Sequence, residues 1–119
     1  MKETNQSAVG TSFHMITVSA TVEQLQAILG TPAYSDNDGE DKVNFSWQME
    51  TNEDNVFTVY DWKEYRPISK NELITWHIGS KSLTTSLTAF DEIQAELSKN
   101  TKHLLSNTEA DLLSQNHLS

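Results

Sequence analysis

Apolar residues toward the end of the chain recur every three or four positions, which is the spacing of one face of an α-helix. The residues in this stripe are Leu83, Leu87, Phe90, Ile93 and Leu97. A shorter stripe covers residues 22–29, where Thr21 and Gln24 have the spacing of a capping box and Gly30 is a stop signal. The pattern predicts two helices, and the second should lie across a sheet.

Four other segments alternate apolar and polar residues, which is typical of half-buried β-strands. They cover residues 12–19, 43–50, 56–62 and 73–78. In the second segment, the predicted core side consists of Val43, Phe45, Trp47 and Met49, and the predicted solvent side of Asn44, Ser46, Gln48 and Glu50. Residues 51–55 are predicted to form a hairpin turn, and Gly79 is predicted to end the last strand.

The element order β-α-β-β-β-α predicts an α+β fold. We expect a four-stranded, mainly antiparallel sheet with the long helix packed on one face. The 119 residues contain no linker, so one domain is expected at 12–100, after a flexible N-terminus at 1–11. Residues 101–119 are predicted to be a polar tail with a start signal for a short helix at 108–111.

The tail contains two pairs of leucines, Leu104 with Leu105 and Leu112 with Leu113. Such a segment either frays or forms a contact between copies of the chain, and the second alternative predicts a homo-oligomer. The sequence has no cysteine, which excludes disulfides, thiolate zinc sites and cysteine catalysis. It also lacks a signal-peptide pattern and a run of ~20 apolar residues, so we expect a cytoplasmic protein without a membrane partner.

The chain is acidic, with 17 Asp and Glu against 8 Lys and Arg and a formal charge of −9. A negative field repels phosphates, so direct binding to nucleic acid is not expected. The acidic excess can serve solubility, or it can imitate nucleic acid toward a basic protein. An acidic loop at 36–41 resembles an EF-hand only superficially, because the glycine and the final glutamate are not at the required positions.

Half of the basic residues lie within one short stretch, interleaved with aromatic residues. The basic members are Lys63, Arg66, Lys70 and Lys81, and the aromatic neighbours are Trp62, Tyr65, Trp76 and His77. Rings and cations together bind a base by stacking and a phosphate by charge-assisted hydrogen bonds. The alternative is that these residues cover the sheet and pair with Asp61, Glu64 and Glu72.

The segment from His77 to Ser82 leads from a strand into a helix, where free backbone N–H groups favour an anion. Gly79 would let a ligand approach the backbone there, and Lys81 would add charge. An ordinary turn capped by Ser80 or Ser82 is the alternative. The four histidines have no metal-binding spacing on a helix, and His77 has no nucleophile beside it in the sequence.

Two blocks carry a resemblance to a known group of proteins. They are Phe57-Thr58-Val59-Tyr60-Asp61-Trp62-Lys63 and Trp76-His77-Ile78-Gly79, preceded by Leu29-Gly30-Thr31-Pro32 and Asp41-Lys42-Val43 with Trp47. The chain resembles small bacteriophage-encoded domains over residues 13–80, although Ser80 replaces a second glycine. The resemblance implies a phage origin, and small phage proteins of this kind are often inhibitors of host defence.

The leading hypothesis is a non-enzymatic phage protein that counters host defence by capturing a small anionic, nucleotide-like ligand without a cofactor. Its predicted ligand-binding residues are Trp62, Lys63, Tyr65, Arg66, Trp76, His77, Gly79 and Lys81. The alternative is an acidic inhibitor that imitates nucleic acid toward a basic host nuclease or a CRISPR or restriction component. Its predicted contacts are Asp36, Asp38, Glu40 and Asp41, with Glu50, Glu53 and Asp54. An enzyme with His77 as general base ranks last.

Overall fold

The structure, a computed structural model, describes the backbone of residues 1–117 and the side chains of residues 1–100. The strands in this part are β1 (Lys2–Glu3), β2 (Ser12–Ala20), β3 (Ser46–Glu50), β4 (Val56–Tyr60) and β5 (Ile74–Ser80). The helices are α1 (Val22–Leu29) and α2 (Leu83–His117). The α+β class is confirmed. The predicted number of strands was wrong, because the described residues form five and not four.

The strands form one sheet in the order β1-β3-β4-β5-β2, and every neighbouring pair is antiparallel. The additional strand, β1, pairs Lys2 with Glu50 and Glu3 with Met49 at the edge beside β3. Two residues are too few to show an alternating pattern, so the sequence could not reveal this strand. The predicted hairpin is confirmed, since β3 and β4 pair in register from Ser46–Tyr60 to Glu50–Val56.

The N-terminal residues are held at this edge by contacts with α2, with the turn between β3 and β4, and with β3. The Met1 ammonium group lies 3.0 Å from the Glu92 carboxylate of α2 and donates to Asn52 Oδ1 at 2.6 Å. Glu50 is held by Lys2 at 3.2 Å and by hydrogen bonds from Thr4 and Gln6, which lower its pKa. Flexibility of residues 1–11 as a whole stays a prediction.

Several strand boundaries differ from the sequence prediction, and β4 ends at Tyr60 and not at 62. β3 begins at Ser46 and not at 43, and Asn44, which was predicted to face solvent, is fully buried. Gly79 does not end β5, because the strand continues to Ser80, which pairs with Ser12 and Phe57. A glycine in an antiparallel strand can pair through its backbone as any residue can, so it stops a strand only where the chain also turns.

Both helices pack on the same face of the sheet, around two buried tryptophans. Trp47 Nε1 donates to Gly30 O and Trp76 Nε1 donates to Ala20 O, each at 2.9 Å, and the rings meet edge to face at 5.5 Å. α1 contributes Val22, Leu25 and Leu29 to this core, and α2 contributes Ala89, Ile93 and Leu97. Each large apolar side chain buried here stabilises the fold by roughly 1.5–3 kcal/mol. The predicted packing of the long helix on one face is confirmed.

The signals that begin and end α1 are also confirmed. The Thr21 hydroxyl accepts from Gln24 N at 3.1 Å, and the Gln24 side chain accepts from Thr21 N at 2.8 Å. Gly30 has φ of +86° and donates to Gln26 O. This conformation is accessible to glycine at little cost. Neither helix of the described chain has the length and apolar character needed to cross a membrane.

The C-terminal segment continues α2 and is not a separate short helix, since the backbone is helical to His117. Among the described side chains of α2, Leu97 is the last one buried in the core. A polar helix that leaves its domain is marginal in water unless it finds a partner.

We therefore expect the full chain to self-associate through residues 101–117. Light scattering should give a mass above that of one chain for the full protein and a monomeric mass for a chain ending at Asn100. A monomeric mass for the full protein at tens of micromolar would contradict the expectation.

Candidate functional site

The sheet face opposite the helices is open and carries mostly polar and aromatic residues. Residues that pair directly across strands share a face. The register therefore places Ser46, Tyr60 and His77 in one row and Gln48, Thr58 and Gly79 in the next. This open face is where the structure brings candidate functional side chains together.

Four rings form a cluster on the open face, which we call the aromatic cluster: Phe13, Tyr60, Trp62 and His77. The His77 imidazole stacks on Phe13 with 3.9 Å between ring centroids and on Trp62 at 6.2 Å. Tyr60 meets His77 edge to face at 5.5 Å and Trp62 at 6.1 Å. Offset or edge-to-face pairs of this kind each contribute about 0.5–1.5 kcal/mol beyond their buried area.

An irregularity in the edge strand β2 gives Phe13 its position. Phe13 pairs with Gly79 and Thr17 pairs with His77. A step of four residues along β2 therefore corresponds to a step of two along β5. Met15 lies inside this bulge with φ of +67° and is 81% exposed. Bulges re-aim side chains along a strand, and here the ring of Phe13 comes to lie on His77.

Gly79 is required by packing within the open face. A Cβ atom there would lie 2.6 Å from Thr58 Oγ1 and 3.4 Å from Tyr60 Cε1. The space beside the glycine is therefore taken by these two side chains, and the structure does not leave it for a ligand at the backbone. Gly79 instead lets Tyr60 and Thr58 lie flat against the sheet.

Next to the aromatic cluster lies an open groove of about 670 Å³. Its lining residues are Tyr34, Asp41, Lys42, Val43, Ser46, Thr58, Tyr60 and Trp62. Tyr34 and Trp62 remain 37% and 40% exposed, which is unusual for such large rings beside a cavity. The volume falls in the range of small-molecule sites, roughly 300–1,000 Å³.

Two lysines lie over the indole of Trp62, and one of them, Lys42, lines the groove. Lys42 Nζ is 5.8 Å and Lys63 Nζ is 5.5 Å from the ring centroid, within cation–π distance. Among the described residues neither lysine is in a salt bridge, although carboxylates outnumber cations in the chain. The Lys63 N–H donates to Lys42 O at 2.7 Å, which holds the two residues together.

The connection after β4 has an unusual backbone at this point. Lys63 and Tyr65 have φ of +56° and +50°, in the left-handed region that side chains other than glycine rarely occupy. Such residues cost about 1–3 kcal/mol each and tend to occur at functional sites. The strained pair adjoins the exposed face of Trp62.

A buried carboxylate fixes the two loops that form the groove. Asp61 is fully buried, and its Oδ1 accepts from the backbone N–H groups of Asn44 and Phe45, each at 2.8 Å. Its Oδ2 accepts from Asn44 Nδ2 at 3.0 Å, and the same amide donates to Arg66 O. Asn44 Oδ1 in turn accepts from Gly39 N at 3.0 Å. We call Asp61 and Asn44 the loop clamp.

The acidic loop is bound to the same connection by further contacts. The Asn37 side chain donates to Ile68 O at 2.9 Å and accepts from Ile68 N at 2.7 Å, which imitates a backbone pair. A Cβ atom on Gly39 would lie 2.6 Å from Arg66 Cα, so the two segments are in close backbone contact. Residues 36–41 are therefore a positioned loop, with Asp41 at the groove.

Burial and charge shift the pKa of three groups on the open face. Burial lowers the pKa of His77 and raises the pKa of Tyr60. The pKa of Tyr34 is raised by desolvation first and then by the charges of Asp36, Asp41 and Asp38. Both phenols therefore stay protonated at neutral pH, and the imidazole is neutral.

The lowered pKa of His77 predicts a pH dependence of stability. Below the ordinary histidine pKa of about 6.5 the unfolded chain binds a proton that the folded chain resists, so the free energy of unfolding falls on acidification. His77→Phe should remove this component, and chemical denaturation at pH 7.5 and 5.5 should show a smaller difference between the two pH values for the variant. The pKa values of Glu50 and Glu72 are also lowered, so these two carboxylates change the free energy of unfolding only at pH values below the range compared here. An equal difference in both proteins would contradict the prediction.

The structure brings together only some of the predicted ligand-binding residues. Trp62, Lys63 and His77 lie at the aromatic cluster, with Gly79 on the same face. Trp76 is fully buried in the core on the opposite face. Arg66 is bound by Glu72 and lies 3.5 Å from Glu64, in agreement with the alternative that the basic residues pair with carboxylates. Asp61, the third carboxylate named in that alternative, belongs to the loop clamp instead.

Of the eight predicted ligand-binding residues, Trp62 alone belongs to the groove lining. Tyr65 is 53% exposed, and Lys81 lies by Gly10, whose added Cβ would be 3.9 Å from Lys81 Cε. The turn into α2 is occupied by its own cap, since Ser82 Oγ accepts from Thr85 N at 3.1 Å and Ser80 Oγ donates to Ser82 O. The side chains of the described residues form no group of three metal-ligating residues.

The sequence prediction missed several residues of the site, among them Phe13, Tyr34, Lys42 and Tyr60. The signal for Tyr60 was present, because alternation in β4 places it with Thr58, opposite Phe57 and Val59. The signal for Phe13 was hidden by the bulge, and nothing local indicates that Lys42 meets Trp62 twenty residues later. Comparisons of the chain with family models, with curated proteins and with solved structures each found no match.

Proposed function

We propose that this chain is a non-enzymatic binding protein whose groove captures a small ligand with a planar ring and an anionic group. A nucleotide has this chemistry. The observation that carries the proposal is a pair of lysines over an exposed tryptophan, with no carboxylate partner among the described residues, in a chain of formal charge −9.

The ring of the ligand has several aromatic neighbours available in the groove. Trp62 and Tyr34 expose their rings, and Tyr60 supports Trp62 from the sheet. Stacking of a base on an aromatic side chain contributes about 1–3 kcal/mol and tolerates different bases. The support behind Trp62 reduces the entropy that the indole would lose on binding.

The anionic group of the ligand would lie between Lys42 and Lys63. Among the described side chains neither lysine has a carboxylate partner, so each keeps its three donors available. The backbone bond from Lys63 to Lys42 holds the two residues side by side before a ligand arrives. Two cations that start close together can bind one anion with less loss of freedom, which favours affinity.

A binding role fits the open face better than a catalytic one. The His77 ring stacks with Phe13 and Trp62, and among the described residues its nitrogens have no hydrogen bond to a nucleophile or an acid. Such an imidazole supports the stack. We place the capture in the cytoplasm of a host cell, as a bacteriophage counter-defence against a signal nucleotide, in keeping with the resemblance to phage domains.

The test is calorimetry and thermal shift with linear and cyclic mononucleotides, the matching nucleosides and ribose 5-phosphate. We expect nucleotides to bind more tightly than either half of the molecule. A ligand at a hundred times its Kd raises the free energy of unfolding by about 2.7 kcal/mol. The double variant Lys42→Gln, Lys63→Gln should lose the preference for nucleotide over nucleoside. Absence of binding across the whole panel would refute the proposal.

A second candidate function is an acidic inhibitor of a basic host nuclease. It is favoured by the way Asn37 and Gly39 hold the acidic loop, since Asp36, Asp38 and Glu40 are exposed on a fixed backbone. Reversal of these three charges to lysine should abolish binding to such a nuclease while nucleotide capture survives. Loss of nucleotide binding in the triple variant would contradict the assignment of nuclease binding and nucleotide capture to different residues.

A further inference from the structure

The sheet side of the groove carries three hydroxyl groups, which we call the hydroxyl floor: those of Ser46, Thr58 and Tyr60. Ser46 pairs with Tyr60 across β3 and β4, and Thr58 lies two residues before Tyr60 on the same face. All three residues are half-buried. The hydroxyl floor is therefore a set of neighbouring groups that can each donate and accept a hydrogen bond.

The protein itself does not use the oxygens of the hydroxyl floor. Among the described residues none of them has a hydrogen-bond partner, and no side-chain oxygen in this part of the chain is both sealed from solvent and unpaired. These oxygens therefore reach solvent in the free protein, where water satisfies them. A ligand that displaces this water has to replace its hydrogen bonds, or binding loses their free energy.

Packing fixes the hydroxyl floor before a ligand arrives. The space that a Cβ atom of Gly79 would take is filled by Thr58 Oγ1 and Tyr60 Cε1, at 2.6 and 3.4 Å from that position. Ser46 is held by its backbone pair with Tyr34, at 3.2 and 2.9 Å. Burial raises the pKa of Tyr60, so its phenol keeps its proton at neutral pH. Groups positioned in this way lose less entropy when they bind a ligand.

The covalent structure of a nucleotide brings its sugar close to the hydroxyl floor. Under the proposed function the base stacks on Trp62, and the phosphate binds Lys42 and Lys63, which lie over the same indole. Base and phosphate are both bonded to the sugar, so the sugar has to lie beside Trp62 as well. Tyr60 of the hydroxyl floor meets Trp62 edge to face at 6.1 Å, and both residues line the groove.

Resting on the proposed function, we propose that the hydroxyl floor binds the sugar, so that the groove selects ribonucleotides over 2′-deoxyribonucleotides. A sugar hydroxyl donates and accepts, as each group of the floor does, and the two therefore pair in either direction. The 2′-hydroxyl is the group by which a protein distinguishes ribose from deoxyribose. A deoxyribonucleotide covers a floor hydroxyl with a C–H group and leaves it without a partner. This contact does not read the base, and stacking on Trp62 tolerates different bases.

The experiment compares AMP with dAMP, GMP with dGMP and CMP with dCMP, by calorimetry on the full chain. We expect the ribonucleotide of each pair to bind about 2- to 10-fold more tightly, the ratio that corresponds to one hydrogen bond. The triple variant Ser46→Ala, Thr58→Val, Tyr60→Phe removes the three hydroxyls and keeps the ring, and its ratio should fall to about 1. If this variant does not fold, one of the three single variants has to bring the ratio to about 1.

The matched control is Thr17→Val. Thr17 is also half-buried and lies on the open face, where it pairs with His77, but it is outside the groove lining. This variant should keep the ratio of the wild type. Equal binding within every pair, or a ratio that survives removal of the three hydroxyls, would overturn the selection of the sugar while the proposed capture stands. If no nucleotide of the panel binds, the proposed function fails and the selection fails with it.

Discussion

Replacement of Asp61 with asparagine is expected to lower the free energy of unfolding by about 2–4 kcal/mol. The buried carboxylate accepts two backbone N–H groups and one side-chain amide, all from Asn44 and Phe45. An amide keeps one acceptor oxygen and directs an NH₂ group at another donor. At least one buried N–H then loses its partner. Urea denaturation of the variant and the wild type measures the difference.

The matched control for this substitution is Asp36→Asn, which makes the same chemical change at an exposed position. Surface changes of this kind alter stability by about 0.5 kcal/mol or less. An Asp61→Asn protein within that margin of the wild type would show that the loop clamp contributes little. The variant should also lose ligand binding, because Asp61 positions the loops that line the groove.

Replacement of Trp62 with alanine is expected to weaken nucleotide binding by about 5- to 150-fold, the range that follows from about 1–3 kcal/mol of stacking. The indole is 40% exposed, but it pairs with Tyr60 and His77, so the free energy of unfolding should also fall by about 1–3 kcal/mol. Trp62→Phe retains a ring and should recover part of the affinity. Calorimetry with the tightest nucleotide of the panel provides the measurement.

Tyr65→Ala is the control, since Tyr65 is an exposed ring on the same connection but outside the groove lining. Its affinity should match that of the wild type. A Trp62→Ala protein that binds as tightly as the wild type, with Tyr65→Ala weakened, would place the site around Tyr65 and away from the groove.

The elements that could be predicted from sequence are those in which local chemistry and tertiary packing agree. Thr21 and Gln24 close their capping box within four residues, and the β3–β4 hairpin pairs neighbours in the chain. The stripe from Leu83 to Leu97 predicted the helix, because its apolar spacing serves the core directly. Short-range patterns of this kind need no knowledge of the rest of the fold.

The misassigned residues are those whose partners are distant in sequence. Asn44 continues the alternation of β3, yet it turns inward because Asp61, seventeen residues later, holds its backbone and side chain. β1 is defined only by its pairing with β3 and has no pattern of its own. Gly79 looks like a stop signal, but its lack of a side chain is used by Tyr60 and Thr58.

Only part of the candidate site could be grouped from the sequence. The interleaving of rings and cations after β4 grouped Trp62, Lys63 and His77, which lie together in the structure. It also included Trp76, whose alternation with His77 places it in the core, and Arg66, which meets Glu72 across a short loop. Lys42 lies beside Trp62 because the loop clamp and the Lys63–Lys42 backbone bond join the two loops, and Tyr34 is placed by its backbone pair with Ser46.

The position of β1 and β2 at opposite edges of the sheet sets an order in which the chain can fold. β1 can pair only after β3 has been synthesised, and β2 only after β5, whose Ile74 pairs with Ala20. The central meander of β3, β4 and β5 connects neighbours and should form first, since local contacts cost the least loop entropy. On the ribosome the residues of β2 would then remain without a strand partner until β5, which ends at Ser80, has emerged. In that interval their apolar side chains would be accessible to chaperones, and a substitution that slows the meander would prolong the exposure.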